Sequence, residues 1–284
     1  MLVAGIDCGT RNTKAVVLNN SDMIGKAILQ TRFERKKIVQ ICFEKAIASA
    51  GVERKDISGV ALVGKNLKEG IEDFVRVEEW VAMVNAGCFF HSPPQIVLDA
   101  GAETTRVVKI DNQGKILDFS MNDRCAAGAG AFLETMARIM EITIEELGEI
   151  IPQRGEGELD LKITSQCAVF AETEVVGFVH RGAQKEKIAM AINDAIGQRI
   201  ASMLMRFGIG KSEGGIRSVG LSNEAGLNSN DEKVLVVTGG VAMNRGFIES
   251  LKNYLELNYI FVPPEPLLAN AIGAALSLIG KNHF

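Results

Sequence analysis

Two segments of this 284-residue chain carry the same residue pattern, and this repeat limits the folds that the chain can adopt. Residues 6–18 align with residues 98–110 at a constant offset of 92 positions (99 − 7), and the alignment needs no gap. It places Asp7 on Asp99, Gly9 on Gly101, Thr13 on Thr105, Lys14 on Arg106 and Val16 on Val108. Each copy predicts a strand that ends in Asp-x-Gly, a tight turn, a second strand and, after a turn at Asn, a third strand.

The paired Asp-x-Gly turns have a physical use in phosphate binding. Glycine has no Cβ, so backbone N–H groups beside it can approach a phosphate closely. A carboxylate at a strand end can hold a divalent cation that neutralises the phosphate. Two such hairpins, at Asp7 and Asp99, would contact one nucleotide from both sides. The alternative is that the hairpins merely look alike, because Gly and Asx residues are common in turns.

The rest of the chain alternates helical and strand patterns, which predicts an α/β protein. Helices are predicted at 34–50, 75–90, 131–142, 168–181, 185–206, 244–256 and 267–280, and strands at 57–63, 234–238 and 258–262. The second copy of the repeat predicts strands at 95–99, 104–111 and 114–120. The Gly- and Ser-rich segment 208–233 has little periodicity and is predicted to be a long surface loop.

A third glycine-rich turn follows the strand predicted at 234–238. Gly239 and Gly240 stand where that strand passes into a helix, and Val241 and Asn244 follow them. Two glycines allow close backbone approach to a ligand, and a helix N-terminus favours anionic groups. Alone the pair is weak evidence, since any tight strand-to-helix turn can use glycine. Together with the two hairpins it predicts a third wall of a nucleotide site.

Composition and charge disfavour several classes of protein. The net charge of −4 lacks the basic surplus that binding to a nucleic-acid backbone needs. No run of about 18 uncharged apolar residues is present, so no membrane span is predicted. The first residues lack the basic start and long apolar run of a secretory signal, and we expect a cytoplasmic protein. Five widely spaced cysteines favour free thiols or metal ligands over a disulfide framework.

Two of those cysteines, Cys125 and Cys167, stand directly before predicted helices. The N-terminus of a helix favours a thiolate and an anion bound to it. Thiolates are the ligands of iron–sulfur clusters, and a four-iron cluster normally takes four of them. One chain offers two such cysteines, so two chains can supply four. The alternative is that both cysteines simply pack, because free cysteine is among the most buried residue types.

Four motifs, at 5–10, 121–134, 167–172 and 238–242, carry a resemblance to a known family. With them the chain resembles, along nearly its whole length, the BadF/BadG/BcrA/BcrD-type ATPases. These proteins activate 2-hydroxyacyl-CoA dehydratases or serve ATP-dependent benzoyl-CoA reductase. The run Asn-Asp-Arg-Cys-Ala-Ala-Gly at 122–128 is highly specific and is not expected in a sugar or acetate kinase.

The resemblance implies a fold and a domain organisation. The fold is the actin/hexokinase/Hsp70-like α/β fold, made of duplicated ribonuclease H-like domains with a nucleotide cleft between them. The first half would be 1–93 and the second 94–284, with the C-terminal helix packing back on the first half.

The resemblance also implies the residues of the site. Catalytic roles fall to Asp7, Asp99 and Glu103. ATP or ADP, with Mg²⁺, would be bound by Gly9, Thr10, Asn12, Thr13, Lys14, Gly101, Ala102, Glu134, Gly239, Gly240, Val241 and Asn244. One 4Fe–4S cluster per dimer would be held by Cys125 and Cys167 of each subunit. ATP binding and hydrolysis would rotate the subunits, so that one low-potential electron passes to a partner enzyme.

The implied partners follow from that role. They are an identical or homologous second ATPase subunit, a cluster-bearing dehydratase or reductase, and an electron donor such as ferredoxin or flavodoxin. Neither a nucleic acid nor a membrane is among them.

The sequence departs from the family pattern at three places. Glu103 replaces a Gln that is placed near the γ-phosphate, Gly64 opens Gly-Lys-Asn-Leu where Gly-Tyr-Gly-Arg is usual, and 208–233 is longer than usual. The stretch at 99–104, together with the residues that follow Cys125, looks closer to the small ATPase subunit of benzoyl-CoA reductase than to stand-alone activators.

Two other functions stay open from the sequence. The first is a small-molecule, sugar-type kinase of the same fold without a cluster, which needs a carboxylate base aimed at a substrate hydroxyl. No such base is identified. The second is an ATP-gated interaction protein whose cysteines only pack.

Overall fold

The structure is a computed structural model that describes residues 1–64, 73–91, 95–122, 128–151, 161–165, 167–209, 234–255, 257 and 259–279. Cys125, residues 65–67 and most of the predicted loop (210–233) lie outside the described residues. The chain forms two compact units. One comprises Met1–Val97, Ile110–Leu117 and Pro263–Phe284, and the other comprises Leu98–Lys109 and Asp118–Val262.

The first sheet has five strands in the order β3-β2-β1-β4-β5. They are β1 (Leu2–Cys8), β2 (Asn12–Asn19), β3 (Asp22–Gln30), β4 (Gly59–Val63) and β5 (Phe74–Arg76). The first three form an antiparallel meander, while β4 and β5 run parallel to β1. The helices of this unit are α1 (Arg35–Ala50), α2 (Glu79–Phe90) and, from the C-terminal segment, α8 (Ala269–Leu276).

Helices cover both faces of the first sheet, because alternate side chains of its strands point to opposite faces. On one face Ile6 packs with Cys42 and Phe43 of α1. On the other, Val3 packs with Ala271 and Ile272 of α8. The backbones of β1 and α8 approach closely, since a Cβ on Gly5 would overlap the carbonyl oxygen of Ala271.

The second sheet repeats the order of the first, as β10-β9-β6-β7-β8. Its strands are β6 (Ile96–Ala100), β7 (Thr105–Ile110), β8 (Ile116–Asn122), β9 (Val234–Thr238) and β10 (Tyr259–Phe261). The predicted duplication is confirmed, because β6, β7 and β8 occupy the places that β1, β2 and β3 hold in the first sheet. The equivalence extends further, since β9 and β10 stand where β4 and β5 stand.

The second unit adds five helices among the described residues. They are α3 (Ala129–Ile139), α4 (Ile144–Glu149), α5 (Ala168–His180), α6 (Lys185–Met205) and α7 (Arg245–Tyr254). The predicted positions of α3, α5, α6 and α7 are confirmed to within a few residues at each end. No helix within the described residues is both long and apolar enough to cross a lipid bilayer.

Three local predictions were wrong or incomplete. The helix predicted at 75–90 begins only at Glu79, because Phe74–Arg76 forms β5 beside β4. The helix predicted from 267 begins at Ala269, after a 3₁₀ turn that Pro266 opens. The short helix α4 was not predicted. It is held by a reciprocal cap in which Thr143 Oγ1 accepts from the backbone N–H of Glu146 at 3.1 Å.

Candidate nucleotide site and cysteine positions

The first Asp-x-Gly turn joins β1 to β2 and is closed by a backbone hydrogen bond. The N–H of Gly9 donates to the carbonyl oxygen of Asn12 at 3.1 Å. A Cβ on Gly9 would lie only 2.9 Å from both that oxygen and Lys14 Nζ. Beside the turn, Lys14 Nζ donates to Asp7 Oδ2 at 2.7 Å in a buried ion pair. The turn therefore combines a side-chain-free backbone with a charge-compensated carboxylate, and the Asp7–Lys14 pair was not predicted from the sequence.

The remaining predicted residues of this hairpin differ in exposure. Thr10 is exposed at the tip and Asn12 is half-buried. Thr13 is fully buried, and its hydroxyl pairs with that of Thr31 at 2.9 Å. The Thr31 hydroxyl also donates to the carbonyl oxygen of Gly9 at 2.9 Å. Thr31 therefore anchors the turn, although the sequence analysis did not select it.

The second turn repeats this geometry in the other unit. The N–H of Gly101 donates to the carbonyl oxygen of Thr104 at 2.9 Å, the same bond at an offset of 92. Arg106 Nη1 donates to Asp99 Oδ2 at 3.1 Å, and both side chains are buried. Ala102 is half-buried beside this turn and Glu103 is exposed. The two copies thus share the turn, the buried carboxylate and its cation.

In each sheet, the glycine that follows the fourth strand in chain order (β4 or β9) contacts the end of the first strand (β1 or β6). Gly239 follows β9 with φ of +87°, and a Cβ there would overlap the carbonyl oxygen of Ala100. Gly64 follows β4 with φ of +128°, and a Cβ there would overlap the carbonyl oxygen of Cys8. Cys8 and Ala100 are themselves equivalent positions of the repeat. Gly64 is therefore the counterpart of Gly239, which the sequence analysis did not recognise.

Thr238 and Asp99 meet at the end of the second sheet. Thr238 Oγ1 is buried and donates to the carbonyl oxygen of Leu98 at 3.2 Å, with Asp99 Oδ1 at 3.4 Å. A Cβ on Gly239 would lie 2.9 Å from the same carboxylate oxygen. The structure thus brings Asp99 and Gly239 together, and it adds Thr238 to the predicted set.

The residues after Gly239 enter a 3₁₀ turn at Gly240–Met243 and then α7. Gly240 is exposed and Val241 is buried. Asn244 caps α7, because its Oδ1 accepts from the N–H of Phe247 at 2.7 Å. Its Nδ2 donates to Asn193 Oδ1 at 3.0 Å in the interior of the unit. Both ends of the Asn244 amide therefore have partners within the protein.

Cys167 stands at the start of α5, as predicted from the sequence. It is the N-cap residue and half-buried, and its side chain makes no capping hydrogen bond. The next residues of the helix are apolar and open to solvent, with Val169 69% and Phe170 66% exposed. Thr164, three residues before Cys167, is tied to α5, since the Glu174 carboxylate accepts from its N–H and its hydroxyl at 2.7 and 2.8 Å.

Burial makes the other described cysteines weaker nucleophiles. Burial raises the pKa of the Cys8 and Cys88 thiols, and it raises the pKa of Cys42 to about 11. Cys42 donates hydrogen bonds to the carbonyl oxygens of Thr13 and Ala27, each at 3.4 Å. These thiols stay protonated near neutral pH, which is typical of cysteines that only pack.

Alkylation at pH 8 should therefore separate Cys167 from these three thiols. We expect iodoacetamide to modify Cys167 of the native, cluster-free protein at least several-fold faster than Cys8, Cys42 or Cys88. Only thiolates react, burial raises the pKa of these three thiols, and Cys8 and Cys42 are also shielded. Peptide mass spectrometry over time measures the four rates. Equal rates, with the protein still folded, would contradict this assignment of exposure.

A known protein family matches nearly the whole chain. The model of the BadF/BadG/BcrA/BcrD ATPase family matches residues 4–277. The chain belongs to this family. Its fold is accordingly the actin/hexokinase-like fold, as the resemblance in the sequence implied.

Relatives cover nearly the full chain. The activator of lactoyl-CoA dehydratase from Anaerotignum propionicum is 30% identical over 97% of this chain and 96% of its own length. A benzoyl-CoA reductase subunit from Thauera aromatica is 28% identical over 97% of this chain and 92% of its own length. The local likeness to a reductase subunit is thus not matched by a higher identity over the whole chain.

A solved structure supports the same assignment. The activator of the 2-hydroxyisocaproyl-CoA dehydratase from Clostridium difficile, solved with bound ADPNP, is 30% identical to this chain. The superposition covers 98% of this chain and 94% of that chain, with a TM-score of 0.80. The family, the fold and the activator-type ATPase class are therefore established for this chain.

Proposed function

We propose that this ATPase is an electron-transfer activator that delivers low-potential electrons to an acyl-CoA dehydratase or a benzoyl-CoA-type reductase. Its family supports the class of partner, since relatives are named as dehydratase activators and as part of a reductase. The observation that supports the electron-transfer role is the position of Cys167. It lies half-buried at the start of α5, beside the exposed Val169 and Phe170.

The two hairpins fit MgATP chemically. A Cβ on Gly9, Gly101 or Gly239 would lie within 3.0 Å of a backbone carbonyl oxygen, so glycine is what allows these turns to be this tight. A tight turn without side chains lets its remaining backbone N–H groups approach phosphates. Asp7 and Asp99 supply carboxylate oxygens, the ligands that Mg²⁺ prefers. We assign catalytic roles to these two carboxylates and to Glu103. The other nucleotide contacts assigned from the sequence, including Thr10, Asn12, Thr13, Lys14, Ala102, Glu134, Gly240, Val241 and Asn244, are part of this proposal.

A 4Fe–4S cluster fits the cysteines only if two subunits share it. Among the described residues, no group of three or more His, Cys, Asp or Glu side chains is placed to hold a metal ion. Cys125 and Cys167 from each of two subunits supply the four thiolates that such a cluster needs. When bound, the cluster supplies one-electron transfer. The exposed apolar residues of α5 would then be covered by the second subunit, either a copy of this chain or a homologous ATPase subunit.

The electron follows a single route in this proposal. A donor of low potential, such as ferredoxin or flavodoxin, gives one electron to the ATPase dimer. The dimer passes that electron to the cluster-bearing dehydratase or reductase, and ATP hydrolysis accompanies the transfer. Nucleotide can drive this step only if it binds two arrangements of the subunits with different affinity.

Anaerobic purification tests the proposal directly. We expect a brown protein with about two irons per chain, because four irons would be shared by two subunits. Replacement of Cys167 by alanine should remove the colour and most of the iron, and Cys125→Ala should do the same. Cys88→Ala is the matched control, since Cys88 is half-buried in α2 and outside the assigned set.

The outcomes separate the possible functions. Iron retained by both Cys125→Ala and Cys167→Ala would overturn the ligand assignment. A colourless wild-type protein after anaerobic reconstitution would overturn electron transfer, and ATP-dependent phosphorylation of a sugar by that protein would favour the kinase function.

A further inference from the structure

The long helix α6 carries a fully buried asparagine, Asn193. Every other buried residue of this helix is Ala, Gly, Ile or Leu. An amide in such an interior is unfavourable unless it is hydrogen-bonded, and asparagine is a weak helix former. An apolar side chain of similar size would pack there without this disadvantage. The partners of the amide are therefore what explains asparagine at this position.

Two carbonyl oxygens fix the orientation of this amide. Asn193 Nδ2 donates to the carbonyl oxygens of Leu147 and Ile150 at the end of α4, each at 3.0 Å. Only the nitrogen can donate, so the amide oxygen faces the other way. There it accepts from Asn244 Nδ2 at 3.0 Å, and Asn244 Oδ1 accepts from the N–H of Phe247 at 2.7 Å. The two amides thus form one directed chain of hydrogen bonds from the end of α4 to the start of α7.

The three helices meet at this chain with little space between them. A Cβ on Gly246 would overlap both Asn193 Nδ2 and the carbonyl oxygen of Ile150. A Cβ on Gly148 would lie 3.3 Å from the Cα of Asn244. In so tight a joint, neither amide can turn without breaking a hydrogen bond inside the protein.

The joint also holds one end of the turn that follows Gly239. Asn244 comes directly after the 3₁₀ turn Gly240–Met243, and its backbone N–H donates to the carbonyl oxygen of Val241 at 3.0 Å. Val241 is buried, whereas the first and last residues of the turn are exposed, Met243 by 62%. The turn is thus anchored from the interior and open to solvent at both ends.

We propose that Asn193 and Asn244 are positioning residues that hold the turn after Gly239 in place for the nucleotide. The inference rests on the proposed function, which assigns this turn to the nucleotide. The side chain of Asn244 acts on the ligand through the turn and not by direct contact, because its amide is engaged at both ends. A turn that is already ordered strengthens binding, since the ligand does not have to order it.

Two variants break the chain of amides at different points. Asn244→Asp keeps an oxygen that can cap α7 but places its other oxygen against Asn193 Oδ1. Asn193→Ala removes the links to α4 and to Asn244 together. We expect each variant to weaken ADP binding about tenfold, which corresponds to one lost hydrogen bond. Isothermal titration calorimetry measures the affinity.

Tyr254→Phe is the matched control. It deletes the 2.7 Å hydrogen bond from the Tyr254 hydroxyl to Asp194 Oδ2, which joins the same two helices at the other end of α7. This variant should lose a comparable hydrogen bond yet leave the ADP affinity unchanged, because the turn keeps its anchor.

Hydrogen exchange at saturating ADP separates a displaced turn from a general loss of stability. In wild-type protein we expect ADP to slow exchange both at 239–243 and at the second hairpin, 101–105. In Asn244→Asp and Asn193→Ala the slowing should be lost at 239–243 and kept at 101–105. Tyr254→Phe should keep both.

The outcomes bear on the positioning role separately from the cluster. Wild-type ADP affinity in both folded variants would overturn the proposal, and so would an equal loss of affinity in Tyr254→Phe. Wild-type protein in which ADP protects 101–105 but not 239–243 would overturn it as well. If circular dichroism shows that Asn193→Ala does not fold, Asn244→Asp decides. An iron-free protein that gives the expected affinities would overturn electron transfer and leave this inference standing.

Discussion

Replacing Lys14 by alanine is expected to lower the free energy of unfolding by about 3–5 kcal/mol, because Asp7 would be left buried without its cation. Lys14 Nζ lies 2.7 Å from Asp7 Oδ2, and both side chains are no more than 10% exposed. A buried carboxylate without a partner keeps its desolvation cost and loses the attraction that offsets it. Urea unfolding without nucleotide, followed by circular dichroism, measures the change.

A double variant and an exposed pair provide the controls. Asp7→Asn combined with Lys14→Met should recover most of the lost stability, since no buried charge remains. Arg106→Ala should act on the second unit as Lys14→Ala acts on the first. Lys252→Ala breaks an exposed pair with Glu249 and should cost less than about 1 kcal/mol. A loss of similar size for Lys14→Ala would show that the buried pair adds nothing.

Gly239→Ala is expected to weaken ADP binding by about 10–100-fold, since backbone strain of about 1–3 kcal/mol would fall on the second hairpin. Gly239 has φ of +87°, which L side chains rarely adopt. Its Cβ would also overlap the carbonyl oxygen of Ala100 and lie 2.9 Å from Asp99 Oδ1. The hairpin can relieve the overlap only by moving away from the position that Asp99 and Gly101 now hold. Isothermal titration calorimetry measures the affinity.

Two further variants serve as comparisons for Gly239→Ala. Gly64→Ala changes the equivalent position of the first sheet, and Gly177→Ala changes a position in α5 where a Cβ would meet nothing closer than the Arg181 guanidinium at 3.8 Å. Gly64 contacts the first hairpin as Gly239 contacts the second, so its replacement should weaken binding to a similar degree. Gly177→Ala should leave the affinity unchanged. If folded Gly239→Ala binds ADP with wild-type affinity, Gly239 is not part of the nucleotide site.

The sequence predicted the central parts of both sheets because the repeat has a fixed offset and an ungapped pattern. The same rule could not relate Gly64 to Gly239, which are 175 positions apart (239 − 64) instead of 92. Helices α3 to α6 stand before β9 and change the spacing. Only the sheet order and the shared contact with the end of the first strand reveal the pair.

Short elements were missed for a different reason. The three residues of β5 gain their strand conformation by pairing with β4, and a window of sequence carries no information about that neighbour. Within the site, Asp-x-Gly patterns indicated Asp7 and Asp99. The partners Thr31 and Thr238 lie outside the Asp-x-Gly patterns, so their roles appear only in three dimensions.

The position of α8 has a consequence for synthesis. This helix packs on β1 and α2, and Gly273 lets its backbone approach Ala82 so closely that a Cβ would overlap the carbonyl oxygen of Ala82. During synthesis, β1 is therefore made long before α8, the helix near residue 270 that covers one of its apolar faces. Until α8 is made, the nascent chain lacks the cover that this helix gives to Val3, Val16 and Leu18, and we expect chaperones that bind apolar segments to associate with it.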